Sequence, residues 1–218
     1  MINNQGIHLV QKVRQHTDSA FVLRLQRNNF QFTPGQCVNL GLPDEAVNRE
    51  YSTYSGIKEP YLEFLIKAVK GGMVSTKLQQ LKSGDRVTLD GAYGLFTLHQ
   101  PDKLKHKYTF ICTGTGIAPF HSFVKSYPKI DYQILHGIRF SQEQYDKQDY
   151  TSTRYISCLS QGKGGSFSGR VTDYLTKHKI DPHRIYYLCG NNDMINDVYD
   201  LLREADVNGS NIFTEVFF

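Results

Sequence analysis

Along the first hundred residues, apolar side chains recur in short runs broken by turns, without the three-and-four spacing of helices. Phe21, Leu23 and Leu25 alternate with polar or smaller neighbours, and residues 61–66 form a second β-rich run. Turn signals separate such runs at Pro34-Gly35, Leu42-Pro43-Asp44, Gly71-Gly72, Ser83-Gly84-Asp85 and Gly91 with Gly94. Many strands at short spacing predict a barrel or sandwich from Ile7 to about Leu98. One helix is expected there, over residues 74–81, opening after the glycine pair and ending before Gly84.

A polar stretch over residues 99–107 reads as a linker, and beyond it the rhythm changes to strand, helix, strand. Residues 108–112, 132–136, 154–159 and 185–189 are strand-like, whereas 120–126, 171–179 and 194–205 are helical candidates. In the last of these, Ile195, Val198, Tyr199, Leu201 and Leu202 are expected to share an apolar face. This alternation predicts a parallel sheet covered by helices, with its ligand site at the carboxyl ends of the strands. The expected organisation is a β-barrel domain over residues 1–99 followed by an α/β domain over 100–218.

Composition narrows the picture. A chain of 218 residues is long enough for two small cores, and 39% hydrophobic with 21% charged residues fits a folded globular protein. Residues 1–13 lack the continuous apolar core of a secretion signal, and no stretch approaches membrane-spanning length, so a cytoplasmic protein without membrane insertion is expected. Cys37, Cys112, Cys158 and Cys189 are widely separated, a spacing that supports neither an iron-sulfur cluster nor a zinc site and predicts free thiols and no metal. A net charge of +4 can steer an acidic partner but is too small to imply nucleic-acid binding.

Candidate chemistry sits in four places. Cys112-Thr-Gly-Thr-Gly-Ile-Ala-Pro119 lies between an apolar strand and a helix; Gly114 and Gly116 let the backbone bend and a dinucleotide approach, although a tight turn without ligand has the same signature. A second strand end, Tyr187-Leu-Cys-Gly-Asn-Asn-Asp-Met-Ile195, would bring Cys189 and Gly190 beside the first loop, or would be an ordinary turn with a buried cysteine. Arg49-Glu-Tyr-Ser52 places a cation, an aromatic face and a hydroxyl within four residues, suited to a pyrophosphate and a flat heterocycle, but Arg49 and Glu50 also read as a solvated pair. Gly71-Gly-Met-Val-Ser-Thr76 offers backbone N–H groups at a helix start, where Ser75 or Thr76 alternatively serves only as a cap.

Taken together, Phe32-Thr-Pro-Gly-Gln36, Arg49-x-Tyr-Ser52, Gly71-Gly-x-x-Ser75, Gly91-x-x-Gly-x-Phe96, Gly114-Thr-Gly-Ile-Ala-Pro119 and Cys189-Gly190 occur in the order and approximate spacing of one family. The chain resembles the ferredoxin-NADP reductase superfamily over nearly its whole length. That resemblance implies an antiparallel flavin-binding β-barrel followed by a parallel-sheet nucleotide-binding α/β domain. It also implies FAD, with FMN as the alternative, bound by Arg49, Tyr51, Ser52, Thr53, Lys67, Val69, Gly72, Met73, Val74, Ser75 and Thr76. NADP(H) is implied at Thr113, Gly114, Thr115, Gly116, Pro119, Arg139, Ser160, Arg170 and Gly190, with Lys163 assisting. Where the family has a serine-arginine pair after the third strand of this domain, Ser160 is followed here by Gln161, so Arg139 and Arg170 are the cations left for a 2′-phosphate.

The same resemblance assigns reaction roles to Ser52, Cys189 and Glu215, and lets Phe217 or Phe218 cover the flavin. An edge strand with core-plugging phenylalanines, an inert core thiol and a surface glutamate are the corresponding plain readings. The implied activity passes a hydride between NADPH and FAD, and single electrons between FAD and ferredoxin or flavodoxin. Two rivals use the same residues: a reductase of free flavin or of an oxygenase, and a non-catalytic flavin- or nucleotide-binding regulatory subunit.

Overall fold

The computed structural model describes residues 5–101 and 105–217, which divide into two compact units. The first is built on one antiparallel six-stranded sheet of β1 (Gln5–Thr17), β2 (Ala20–Gln26), β3 (Cys37–Gly41), β4 (Asn48–Ser52), β5 (Tyr61–Lys67) and β6 (Arg86–Tyr93), in the order β4-β3-β6-β1-β2-β5. The chain leaving β4 donates Tyr54 N–H to Glu63 O on β5 at 2.8 Å, which draws the two outer strands together and closes the sheet toward a barrel. Closure of this kind removes the unpaired edges that an open sheet would offer to other chains.

Phe21, Leu23 and Leu25 fill this barrel with Val38, Leu40, Leu62, Phe64, Val87 and Leu89, all without measurable exposure. Ala20 and Val22 are buried too, so the alternation along β2 distinguishes large from smaller buried residues over its first half rather than inside from outside. Two of the sequence motifs turn out to serve packing. Gly35 has φ +91°, and a Cβ there would fall on the carbonyl oxygen of Phe96 and the ring of Phe123; Gly91, at φ +154°, lies against Val38. Only glycine fits either place, because backbone and side chain already occupy the space.

Helix α1 (Ser75–Gln80) is one short turn and a half within the expected 74–81, anchored by buried Leu78. Helix α2 (Ala118–Ser126) also belongs to the first unit, although a boundary at residue 99 assigned it to the second. Its attachments explain this. Phe120 and Phe123 lie 6.0 and 6.3 Å from the ring of Phe96, His121 stacks on Tyr54 at 3.8 Å and donates Nδ1–H to the Tyr54 carbonyl, and the Ser122 hydroxyl donates to Ser55 O.

The second unit carries a wholly parallel sheet of β7 (Lys107–Thr113), β8 (Asp131–Ile138), β9 (Tyr155–Leu159), β10 (Phe167–Ser168), β11 (Ile185–Gly190) and β12 (Ile212–Val216), ordered β10-β9-β8-β7-β11-β12. Helices α3 (Val171–Lys177) and α4 (Asn192–Glu204) pack on it through Val171, Leu175, Met194, Ile195, Val198 and Leu202. Tyr199, expected on the apolar face of α4, is exposed instead, since one residue beyond Val198 is a 100° rotation away from the core. The two-residue β10 carried no sequence signal of its own. Chain order and spatial order diverge beside β7: β8 adds to one flank and β11 to the other, which makes the β7/β11 edge a topological switch point.

Candidate functional site

In the first unit, Arg49 is exposed, forms no ion pair among the described residues, and donates to the carbonyl of Asn48 at 2.7 Å. Tyr51 is half-buried against the barrel core, and burial pushes its phenol up to about 12, so it is neutral at all physiological pH. Ser52, the last residue of β4, is buried, and Thr53 follows with its hydroxyl fully buried and without a hydrogen-bond partner. Alternation along an edge strand that ends at residue 52 thus leaves a cation and a half-buried ring along the strand, one hydroxyl at its last residue and one just past it. An orphaned buried hydroxyl costs on the order of 1–3 kcal/mol. A heterocycle rich in hydrogen-bonding edges, with a charged tail, fits such a donor set.

Lys67 at the end of β5 and Val69 and Met73 beyond it are exposed, and the hydroxyls of the segment that follows are engaged in holding its own turn. Ser75 Oγ accepts from Val69 N–H at 3.1 Å, while the Thr76 hydroxyl donates to Gly72 O at 2.6 Å. Thr76 has therefore committed its proton to the backbone, whereas Ser75 still has one to give. Gly72 N–H closes the turn onto Val69 O, and Val74 is buried beneath it.

In the second unit the loops after β7 and β11 interlock at the switch point. A Cβ on Gly116 would lie 2.6 Å from Cys189 O, and one on Gly190, at φ +133°, would lie 2.3 Å from Thr113 Oγ1. Thr113 Oγ1 in turn accepts Asn191 N–H at 2.9 Å. Gly114 has φ +51° and opens the 3-10 turn Gly114–Ile117 that includes Thr115, and Pro119 is buried in the first turn of α2. Cys189 is fully buried, and desolvation pushes its thiol well up.

Three further predicted residues meet at the neighbouring strand ends. Ser160 N–H donates to Ile138 O and Gln161 N–H to Arg139 O, each at 3.0 Å, which sets the residues after β8 and β9 side by side, and Gly169 N–H donates to Leu159 O, bringing Arg170 to the same edge. The Arg139 and Arg170 side chains are exposed, as is Lys163 on the glycine-rich loop that follows. Glu143 fixes the backbone by accepting from Arg139 N–H and Phe140 N–H, and Asp173 accepts from Arg170 N–H. The Ser160 hydroxyl donates to Ile138 O at 3.3 Å, so what the arrangement offers an anion is two guanidinium groups.

At the C-terminus, β12 is an outer strand paired with β11, with Glu215 half-buried opposite Cys189. Phe213 stacks on Tyr187 at 4.7 Å, and Phe217 N–H extends the ladder onto Gly190 O. Phe218 lies outside the described residues.

Sequence reasoning missed His136. It is fully buried on β8, its Nε2 is 2.8 Å from Gly114 O and its Nδ1 is 2.8 Å from the Tyr155 hydroxyl. Its signal was present but faint: a histidine at the end of an otherwise apolar strand run, two residues before Ile138. Among the described residues no group of His, Cys, Asp or Glu is arranged to hold a metal, the four cysteines are free thiols, and no helix is long and apolar enough to cross a membrane.

Two family models match this chain in succession: an oxidoreductase FAD-binding domain over residues 7–98 and an oxidoreductase NAD-binding domain over residues 110–200, the second including α2. The chain is 32% identical to a ferredoxin-NADP reductase of Azotobacter vinelandii over 82% of its own length and 78% of that protein's. It is 28% identical to a toluate 1,2-dioxygenase electron transfer component of Pseudomonas putida over 95% of its own length, and spans 66% of that relative. Its fold is that of a ferredoxin NADP+ reductase from Neisseria gonorrhoeae solved with bound FAD and NADP, with a TM-score of 0.86, 22% identity and 99% of each chain covered. Both domain models in chain order, with a relative above 30% identity aligned over most of its length, establish that this chain belongs to the ferredoxin-NADP reductase family of FAD- and NAD(P)-binding oxidoreductases.

Proposed function

We propose that this chain is a cytoplasmic ferredoxin- or flavodoxin-NADP reductase that uses FAD to connect NADPH with a one-electron carrier protein. The observation that carries this reading is the pair of glycine-cleared strand ends at the switch point, with Arg139, Ser160 and Arg170 at the adjoining strand ends. A dinucleotide needs backbone approach for its pyrophosphate and, in its 2′-phosphorylated form, cations one strand further along. Both are supplied by one edge of one sheet.

Bound FAD supplies the exchange between two-electron and one-electron steps. The residues supply binding and alignment. Arg49 offsets pyrophosphate charge, the neutral Tyr51 ring gives the heterocycle an apolar face, and the Ser52 and Thr53 hydroxyls hydrogen-bond its edge. Backbone at 72–76 holds the phosphates with the Ser75 proton; Lys67, Val69 and Met73 line that segment. Across the second unit, Thr113, Gly114, Thr115, Gly116 and Gly190 cradle the dinucleotide, Pro119 fixes the start of the following helix, and Glu215 with Phe217 closes on the strand end that carries Gly190. Alignment of this kind, rather than a covalent nucleophile, is what hydride transfer asks of a protein.

A second reading has a specific observation behind it. The chain aligns over 95% of its length with the toluate dioxygenase component, so a role as the reductase of an oxygenase uses the same two half-sites with another acceptor. The deciding experiment is an anaerobic titration of the purified yellow protein with NADPH, followed by addition of ferredoxin, flavodoxin or free FMN. Bleaching by NADPH, recovery of colour on adding ferredoxin or flavodoxin, and FAD released on denaturation are the expected results. Reoxidation by free flavin alone would favour the rival acceptor, release of FMN would overturn the FAD assignment, and a colourless protein indifferent to flavin would leave only a binding subunit.

A further inference from the structure

The loop that the proposed function assigns to the dinucleotide phosphates is tied to the interior by one buried chain of hydrogen bonds. Gly114 O, at the end of β7, is 2.8 Å from His136 Nε2 on β8, and His136 Nδ1 is 2.8 Å from the hydroxyl of Tyr155 on β9. A carbonyl can only accept, so Nε2 carries the proton; neutral imidazole then has a lone pair at Nδ1, and the Tyr155 hydroxyl donates to it. Burial lowers the His136 pKa to about 4, in keeping with a neutral ring. Tyr155 is fixed by stacking on Tyr150, with centroids 5.2 Å apart and planes within 6°. The direction of the chain is set from the interior outward: phenol to imidazole, imidazole to backbone carbonyl.

The consequence lies in the peptide that follows. The carbonyl of Gly114 and the N–H of Thr115 belong to one trans peptide group, whose C=O and N–H bonds point in opposite directions. Holding the carbonyl against a fully buried imidazole therefore turns the Thr115 N–H away from the interior. Gly114 has φ +51° and opens the 3-10 turn Gly114–Ile117, so the His136 contact adds a second hold on its carbonyl to that of the turn itself.

We propose that His136, held by Tyr155, is a positioning residue for the dinucleotide site: it orients the Gly114–Thr115 peptide so that the Thr115 N–H faces the phosphate. This rests on the reading that the loop binds NADP(H). The role needs reach as well as polarity. Glutamine at 136 places an amide N–H near the position of Nε2, whereas asparagine places it near Nδ1 and falls short of Gly114.

Calorimetric titration of the oxidised FAD-loaded protein with NADP+ tests this without turnover. His136→Gln is expected to bind within about threefold of wild type, and His136→Asn and His136→Leu about tenfold or more weakly, the factor one lost hydrogen bond of ~1.4 kcal/mol gives. Tyr155→Phe should weaken binding by a smaller factor. Steady-state assays should place the loss in KM for NADPH, with kcat at saturation retained, because hydride alignment is not touched. Equal affinity of the Gln and Asn variants, or a fall in thermal stability with unchanged NADP+ affinity, overturns the proposal and makes His136 a packing residue. Wild-type protein that binds neither NADP+ nor NAD+ overturns the dinucleotide reading itself.

Discussion

Ser52 shows how much a single position depends on where its strand stops. In the middle of a strand its side chain would face opposite to Arg49 and Tyr51; as the last residue of β4, it lies where the backbone leaves the sheet. Its burial sets it beside the unsatisfied Thr53 hydroxyl, a polar group whose desolvation a bound molecule would repay. We expect Ser52→Ala to retain FAD but to slow flavin reduction by NADPH about tenfold in stopped-flow traces, the effect of one hydrogen bond of roughly 1.4 kcal/mol felt during transfer. An unchanged rate would remove Ser52 from the reaction. The motif Arg49-x-Tyr-Ser52 was readable from residue types alone, but the isolated Thr53 hydroxyl was not, because satisfaction of a buried group depends on what packs around it.

At the scale of the element, β8 illustrates the same division. Its apolar pattern gives a strand to within two residues, yet the strand carries a histidine whose meaning comes from β7 and β9 on either side. The groups facing it are the phenols of Tyr155 and Tyr145 and, in register on β7, Cys112; burial raises all three, so none carries charge near neutrality. The His136 pKa falls from its usual 6.5 to about 4 in the folded protein, so between these values the unfolded chain binds the extra proton. Stability from this residue is thus complete above pH 6.5 and declines as pH falls toward 4, by roughly 3 kcal/mol in all. Urea unfolding at pH 7.5 and pH 5.0 should show a steeper acid loss in wild type than in His136→Gln, whatever the absolute stability of the variant. Helix α2 makes a related point: its sequence is helical in isolation, but Phe120, Phe123 and His121 decide which core it joins.

Across the whole molecule, the proposed selectivity for the dinucleotide draws on residues brought together from the ends of β8 and β9 and the start of α3. With Gln161 in place of the family's arginine, we propose that preference for NADPH depends on Arg139 and Arg170. The ratio of kcat/KM for NADPH over NADH should favour NADPH in wild type and fall at least tenfold in Arg139→Ala/Arg170→Ala, since each guanidinium–phosphate pair is worth about 1 kcal/mol or more. A clear NADH preference in wild type would reject the assignment.

What the sequence determined by itself was the class of each half and the order of its motifs: period-two runs between glycine and proline turns for the barrel, strand-helix alternation for the parallel sheet, and glycines where backbone must approach backbone. These are local properties, written in the residues that obey them. Only the tertiary structure decided that Gly35 and Gly91 serve packing whereas Gly116 and Gly190 clear the switch point, that α2 joins the barrel unit, that Cys189 is interior, and that His136 reaches the Gly114 carbonyl. Each of those depends on atoms from segments distant in the chain, and their distances are fixed by strand order and packing rather than by spacing along the sequence.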